Sequence, residues 1–219
     1  MQDVHNPNLE KAVALSIDVP QSFKFTTFYN IPIGRGQLIS LHGPLDWIAG
    51  GWTISAILHY RSGLPLHIVD SGVNNGIFAT TRPNYTGLPV KINKHGYINF
   101  PNSTGPQYLN PAAFTHVKTS CDLVAPGTPC NNVALTTGDV PSALGNVQAP
   151  GLAQESASLQ KNFPFGPSRS FQLRIDGFNI LNRAGRGAPV TDINSPKFGQ
   201  ILNNQYGPRI VQLQGRIFF

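Results

Sequence analysis

Five stretches of this chain alternate between apolar and polar side chains, and that alternation restricts its fold more than any other feature. In residues 209–219 the odd positions include Val211, Leu213 and Ile217, whereas positions 212, 214 and 216 carry glutamine or arginine. Successive side chains of a β-strand point to opposite faces, so each stretch predicts a strand with one apolar and one polar face. The five stretches are residues 22–33, 52–62, 156–163, 170–182 and 209–219.

The lengths of these stretches favour strands that cross a membrane. Each has about 8 to 13 residues, and a tilted membrane-spanning strand needs roughly 9 to 11. Strands of soluble sandwiches are more often about 5 or 6 residues long. Aromatic side chains also lie near the ends of the stretches, as they do in the interfacial girdles of outer-membrane barrels. They are Tyr29, Trp47, Trp52, Tyr60, Phe163, Phe165, Phe218 and Phe219.

Composition excludes several other classes of protein. Charged residues make up 12% of the chain and hydrophobic residues 40%, with no run of apolar residues long enough for a membrane helix. The many Gly, Pro, Asn and Thr residues disfavour a helical bundle. The net charge is +6, but the basic residues are scattered and no nucleic-acid-binding motif is present, so nucleic acid is not expected as a partner. A basic surface suits anionic outer-membrane lipid or lipopolysaccharide.

The connections between the stretches differ greatly in length. Residues 164–169 form a short turn, whereas residues from about 68 to 155 form one long loop. Outer-membrane barrels pair short periplasmic turns with long extracellular loops, so the long loop is expected outside the cell and residues 34–51 on the periplasmic side. A structureless loop of this length counts against a compact soluble domain.

Five strands are too few to close a barrel, and an odd number leaves the two chain ends on opposite sides of the membrane. The expected fold is therefore all-β: an antiparallel transmembrane β-barrel fragment of about five strands with one long extracellular loop. Residues 1–219 would form the carboxy-terminal portion of a larger barrel. No signal peptide is visible at Met1–His5, which fits that expectation.

Short motifs occur along the chain, such as Arg61-Ser62-Gly63-Leu64-Pro65 and Tyr108-Leu109-Asn110-Pro111. Together they resemble the motifs of TonB-dependent outer-membrane receptors of the Oar-like group. Another example is Gly50-Gly51-Trp52, at the start of the second stretch. The motifs follow the order of the family over nearly the whole chain, at residues 18–23, 29–36, 50–57, 61–65, 82–84, 108–114, 144–146, 161–164, 178–183, 198–199 and 219. One departure is residues 147–150, where the family usually carries a more basic stretch.

The resemblance implies an outer-membrane receptor that binds a ligand on its extracellular loops and imports it. The plug domain and TonB box of the family are absent from this sequence, so the TonB complex would act only through that missing region. Energy-coupled import is therefore not assigned to this chain alone. The ligand and the residues that contact it are not identified. The alternative from another class is a secreted soluble β-sandwich that serves in adhesion or carbohydrate binding.

The last stretch also predicts a signal for outer-membrane assembly. Val211, Leu213, Ile217 and Phe219 form an apolar row that ends in an aromatic residue, which resembles the carboxy-terminal signal that barrels present to the barrel assembly machinery. Such a strand also offers an apolar anchor and an open edge for pairing. The alternative is an ordinary final strand that ends in phenylalanine.

Cys121 and Cys130 are expected to form a disulfide. They flank a Pro-Gly-Thr-Pro turn that can bring them together, and the cell surface and periplasm are oxidising. The alternative is a metal site with His116, but eight intervening residues exceed the usual spacing of zinc-binding cysteines.

No enzyme activity is expected, because the sequence lacks the metalloprotease, nucleophile-elbow, phosphate-loop and dinucleotide-binding motifs. No catalytic residue, metal ligand or cofactor is assigned, since the six histidines show no ligand spacing. Arg174 and Asp176 are interpreted as a charge network on the lumen side of the sheet. Asn84 and Asn102 begin sequences that match glycosylation acceptors.

Overall fold

The computed structural model describes residues 5–10, 18–74, 81–92 and 107–219. The chain divides into two compact units. The sheet unit contains residues 21–61, 152–185 and 205–219, and the loop unit contains residues 1–20, 62–151 and 186–204.

The sheet unit is built on one antiparallel sheet in which each strand pairs with the next along the chain. All five predicted strands are present, so the expected antiparallel all-β fold is confirmed. They are β1 (Ser22–Asn30), β2 (Trp52–Arg61), β3 (Leu152–Pro164), β4 (Ser170–Phe178) and β5 (Ile210–Phe218).

Three strand boundaries differ from the prediction by three residues or more, and the others by at most one. β1 ends at Asn30, before Pro32, whose missing N–H prevents it from donating a bond to a neighbouring strand. β4 ends at Phe178 because Asn179 and Asn182 have φ angles of 50° and 51°, a left-handed conformation that breaks an extended strand. β3 begins at Leu152 rather than at residue 156, so the connection before it covers residues 62–151 instead of about 68–155.

The register places the predicted apolar positions of all five strands on one face, called here the apolar face. One row across the sheet pairs neighbours in β1 to β5: Tyr29, Ile54, Leu159, Ile175 and Leu213. The opposite, polar face carries most of the Ser, Thr, Gln and Arg side chains of the same strands. The alternation seen in the sequence is therefore a real division between two surfaces.

β1 and β5 are the two edges of the sheet, and within the described residues neither pairs with a strand on its outer side. The sheet is therefore open. No helix in the described part of the chain is both long and apolar enough to span a membrane.

The shorter connections lie at one end of the sheet and the longer connections at the other. At one end lie residues 31–51, which include helix α1 (Pro44–Ala49), and the turn at residues 165–169. At the opposite end, residues 62–151 join β2 to β3 and residues 179–209 join β4 to β5. These are called below the short-connection end and the long-connection end.

The described parts of residues 62–151 and 186–204 fold together around a hydrophobic core in the loop unit. Two pairs of short strands occur there, Pro65–Leu66 with Leu144–Gln148 and Asn84–Tyr85 with Phe114–Thr115. Among the described residues of the loop unit, 3-10 helices occur at Pro7–Glu10, Pro111–Ala113 and Ser120–Leu123. The core consists of Leu66, Ile68, Val90, Tyr108, Leu109, Ala113, Phe114, Val140, Leu144, Val147, Ala149, Phe198 and Ile201. The segment expected to be a loop is thus largely irregular in secondary structure but has a buried interior.

Gly199 joins the two connections within this core. Its carbonyl accepts hydrogen bonds from the N–H groups of Tyr108 and Leu109, and its φ angle of 75° lies in the region that favours glycine. A Cβ atom at this position would collide with Gln107 and with the Leu109 backbone. Glycine is therefore required where residues 186–204 pack against residues 107–109.

Candidate functional site

The apolar face is the first candidate for function, because its large side chains are exposed although they are hydrophobic. Leu213 is 72% exposed, and Phe23, Phe25 and Val211 are exposed as well. Soluble monomers rarely present a continuous apolar surface spread over several strands. Such a surface suits contact with lipid.

Aromatic side chains mark both ends of the apolar face. Trp52, Phe163 and Phe171 lie at the short-connection end, where the rings of Phe163 and Phe171 are 6.1 Å apart. Phe23 and Tyr60 pair across β1 and β2 at the long-connection end, with ring centroids 6.4 Å apart. The apolar band between these rings is the part of the sheet suited to hydrocarbon.

Two charged side chains interrupt the apolar face, and both come from β3. Glu155, 2% exposed, accepts hydrogen bonds from Arg183 Nε at 2.7 Å and from the Tyr60 hydroxyl at 2.8 Å. A turn in which Asn179 bonds the N–H and the carbonyl of Arg183 holds the arginine in place. A buried charge needs such partners, and this acid lies at the aromatic border rather than in the centre of the band.

Lys161 is the second charge, 3% exposed, at the opposite end of β3. Its Nζ donates to the carbonyl oxygens of Ile48 at 3.1 Å and Gly50 at 2.5 Å. The same ammonium lies 5.0 Å from the ring centroid of Phe163 and 5.5 Å from that of Trp52. Lys161 therefore ties the 31–51 connection to the apolar face.

The polar face carries a hydrogen-bonded network on β3 and β4. Arg174 Nε lies 2.8 Å from Asp176 Oδ1, and Ser158 bonds to both side chains. Gln172 donates to Asn162 at 3.0 Å in the same surface. The predicted juxtaposition of Arg174 and Asp176 is present, and a network of this kind suits a hydrated surface.

The terminal strand presents the four predicted assembly-signal residues at a sheet edge. Val211, Leu213 and Ile217 lie on the exposed apolar face of β5. Phe219 is 90% exposed and follows the last paired residue, Phe218. This strand leaves one row of backbone N–H and C=O groups available for pairing with another strand.

A polar cluster joins the two connections within the loop unit. Asp70, fully buried, lies 2.9 Å from His116 Nδ1 and accepts from Asn194 at 2.6 Å. Asp192 accepts hydrogen bonds from the hydroxyl and N–H of Ser71 and from Asn194. Burial raises the pKa of Asp192, but the hydrogen bonds from Ser71 and Asn194 outweigh it and hold that pKa below its ordinary value.

Cys121 and Cys130 are joined by a disulfide, with Cα atoms 5.5 Å apart. Cys121 lies in the 3-10 helix Ser120–Leu123, which starts with Thr119 N–H donating to Asp122 at 2.6 Å. Leu123 is exposed within the closed loop. His116 is turned toward Asp70 by its Nδ1 rather than toward a cysteine.

Within the described ranges, no group of three or more His, Cys, Asp or Glu side chains is placed to hold a metal ion. The acceptor sequence at Asn84 lies in a short strand of the loop unit. The acceptor at Asn102 lies outside the described residues.

Sequence reasoning missed the ion pair of Glu155 and the polar cluster at Asp70. Glu155 precedes the predicted start of its strand, and its partner Arg183 is 28 positions away. The alternation at Ala153, Gln154 and Glu155 could have extended the predicted strand toward its observed start. Glu155 is charged where the pattern expects an apolar residue, so the alternation is hard to recognise there. Asp70 and Asn194, 124 positions apart, have no local pattern that joins them.

Comparison with known proteins gives one family. A family model described as an outer membrane beta barrel domain matches residues 1–212. No curated protein and no solved structure matches the chain.

Proposed function

Because the chain belongs to the outer membrane beta barrel domain family, we propose that it contributes barrel strands to a TonB-dependent receptor of the Oar-like group, which binds a ligand outside the cell and imports it. Family membership places the protein in the outer membrane. That location removes the alternative of a secreted soluble β-sandwich. Membership of this family does not specify a receptor class or an import function, so these two statements are the proposal.

The observation that carries the proposal is the loop unit. Both long connections leave the sheet at one end and share one hydrophobic core. Long connections of outer-membrane barrels are extracellular, so this end would face the outside. A core keeps exposed side chains in fixed positions, which a surface for ligand recognition needs. The ordered series of sequence motifs supports the same receptor class.

The faces of the sheet suggest the other partners. The apolar face would contact outer-membrane lipid and lipopolysaccharide, and the polar face with Arg174 and Asp176 would line the barrel interior. The barrel assembly machinery would pair with the edge of β5. In the family that the sequence resembles, the TonB complex acts through a plug domain, so no contact with it is assigned to the sheet.

Uptake by the producing bacterium tests the import function. The gene is deleted, and uptake of iron-loaded siderophores, cobalamin, oligosaccharides and peptides is measured with labelled compounds. We expect uptake of one class to be lost in this strain and in a strain without TonB, and restored by the intact gene. Unchanged uptake of all four classes would count against an import receptor, while leaving the outer-membrane location intact.

A further inference from the structure

The 31–51 connection forms an open cleft with the end of β3 at the short-connection end of the sheet unit. The cleft has a volume of about 490 Å³. One wall comes from residues 33–35, 37, 43, 46, 47, 50 and 51, and the other from residues 161–164. Lys161 and Phe163 belong to the apolar face, so the cleft opens at the border of the surface assigned to lipid.

Helix α1 extends that apolar surface beyond the strands. Trp47 is 63% exposed, and Leu45 and Ile48 are exposed to a similar degree. The Trp47 ring lies 5.1 Å from that of Phe163, which joins the helix to the apolar face. Exposed Trp and Leu side chains in a short element at the end of a barrel strand are placed to enter the interface of a membrane.

Charged groups lie beside this apolar element. The Arg35 side chain is exposed, and its backbone N–H donates to Asp46 Oδ1 at 2.8 Å. Arg35, Asp46 and Lys161 are the charged side chains that line the cleft, which gives one excess positive charge. Lys161 is already bonded to two carbonyl oxygens, so the Arg35 guanidinium is the group available to an anion.

We propose that this cleft binds the phosphodiester headgroup of a glycerophospholipid in the leaflet next to the short connections. Arg35 would bind the phosphate, since a guanidinium matches two phosphate oxygens. The acyl chains would run along Trp47 and Phe163 onto the apolar face. Lys161 acts as a positioning residue, because it holds the carbonyl groups of Ile48 and Gly50 that shape the wall of the cleft. The site depends on the membrane location and is independent of import.

Native mass spectrometry of the full chain, extracted from bacterial outer membranes in mild detergent, tests the site. The probe is dioleoylphosphatidylglycerol, compared with dioleoylglycerol, which has the same chains without phosphate. We expect Arg35→Glu to lower the fraction of protein that retains the phospholipid about tenfold, because it replaces a charge-assisted contact with repulsion. The matched control is Arg169→Glu, an exposed arginine on the other short connection and outside the cleft lining. It should retain the phospholipid as the unmodified chain does.

Three results would overturn the proposal: equal loss in the two variants, equal retention of dioleoylglycerol, or displacement of the phospholipid by excess sn-glycerol 3-phosphate. The last would indicate a site for a soluble phosphate compound.

A second measurement uses the unmodified chain and its tryptophan fluorescence. Lipid with a nitroxide on the headgroup should quench the emission of Trp47 and Trp52 more than lipid labelled at the end of its chain. The reverse order would place both tryptophans too deep for a headgroup site.

Discussion

Glu155 and Lys161 lie on the same face of β3, six positions apart, and different connections hold them at opposite ends of the sheet. At about 3.3 Å per residue, their Cα atoms are roughly 20 Å apart along the strand. The apolar band is thus bounded by one buried acid and one buried base, each bonded to protein groups. This relationship makes the two residues the most direct probes of the sheet unit.

Glu155→Gln is expected to destabilise the sheet unit by about 1–3 kcal/mol, because Arg183 would lose its charged partner. The lower part of that range applies if solvent screens the pair, since the Arg183 side chain is 46% exposed. Thermal unfolding in detergent gives the measurement. Gln154→Ala, at the neighbouring position on the polar face, is the control. Equal stability of both variants would show that the pair contributes little.

Lys161→Met should loosen the 31–51 connection while the strands remain paired. The carbonyl groups of Ile48 and Gly50 would lose the ammonium donor, although the Trp52 indole N–H would still bond that of Ile48. This loss weakens the attachment of helix α1 to the sheet. Hydrogen exchange in residues 31–51 is expected to accelerate relative to residues 165–169. Lys24→Met, at an exposed position of β1, should change neither segment. Unaltered exchange in the first variant would contradict the proposed attachment.

Deletion of Phe219 from the protein as expressed in its bacterium should lower its level in the outer membrane. The residue ends an exposed apolar row at a sheet edge, which is the surface offered for strand pairing during assembly. Immunoblots of outer-membrane fractions provide the measurement, with Phe165→Ala, an exposed phenylalanine in a turn, as the control. If the level in the outer membrane is unchanged after the deletion, Phe219 is not an assembly signal and β5 is an ordinary final strand.

Reduction should increase the mass of the chain by two hydrogen atoms, as expected for one disulfide between Cys121 and Cys130. In the chain-entropy model, closing so short a loop stabilises the folded state by about 2–3 kcal/mol. Replacing both cysteines with serine should therefore increase proteolysis near residues 119–133. A metal released on unfolding, with no mass change on reduction, would favour the alternative site with His116.

Acidification should weaken the loop unit through Asp192. Its pKa is lower in the folded chain than its ordinary value of 3.8, so the folded state binds fewer protons than the unfolded state in this range. The stabilisation is complete above the ordinary value and is lost as the pH falls through the lower, folded value. Hydrogen exchange near residues 69–72 and 190–195 should therefore accelerate below about pH 4. Asp192→Asn should remove part of this dependence, and identical pH profiles would exclude Asp192 as its source.

The sheet could be predicted from the sequence because the period of two is local to each strand. Tyr29, Ile54 and Leu213 reveal their shared face without knowledge of any partner strand. The core of the loop unit gives no such signal, because residues such as Leu66, Leu109 and Phe198 come from a short strand, an isolated bridge and a turn. The site at Arg35 escaped prediction for the same reason, since α1 and β3 meet only in three dimensions.

The core shared by the two long connections has a consequence for their exchange between related barrels. The rings of Phe198 and Phe114 pack edge to face with their centroids 5.6 Å apart, and the Gly199 carbonyl accepts a hydrogen bond from the Tyr108 N–H. Neither connection is therefore complete without the other. An engineer who transplants one of them into a related barrel would leave half an interior exposed. The two connections therefore form one structural unit, and both must be transferred together if the core is to stay buried.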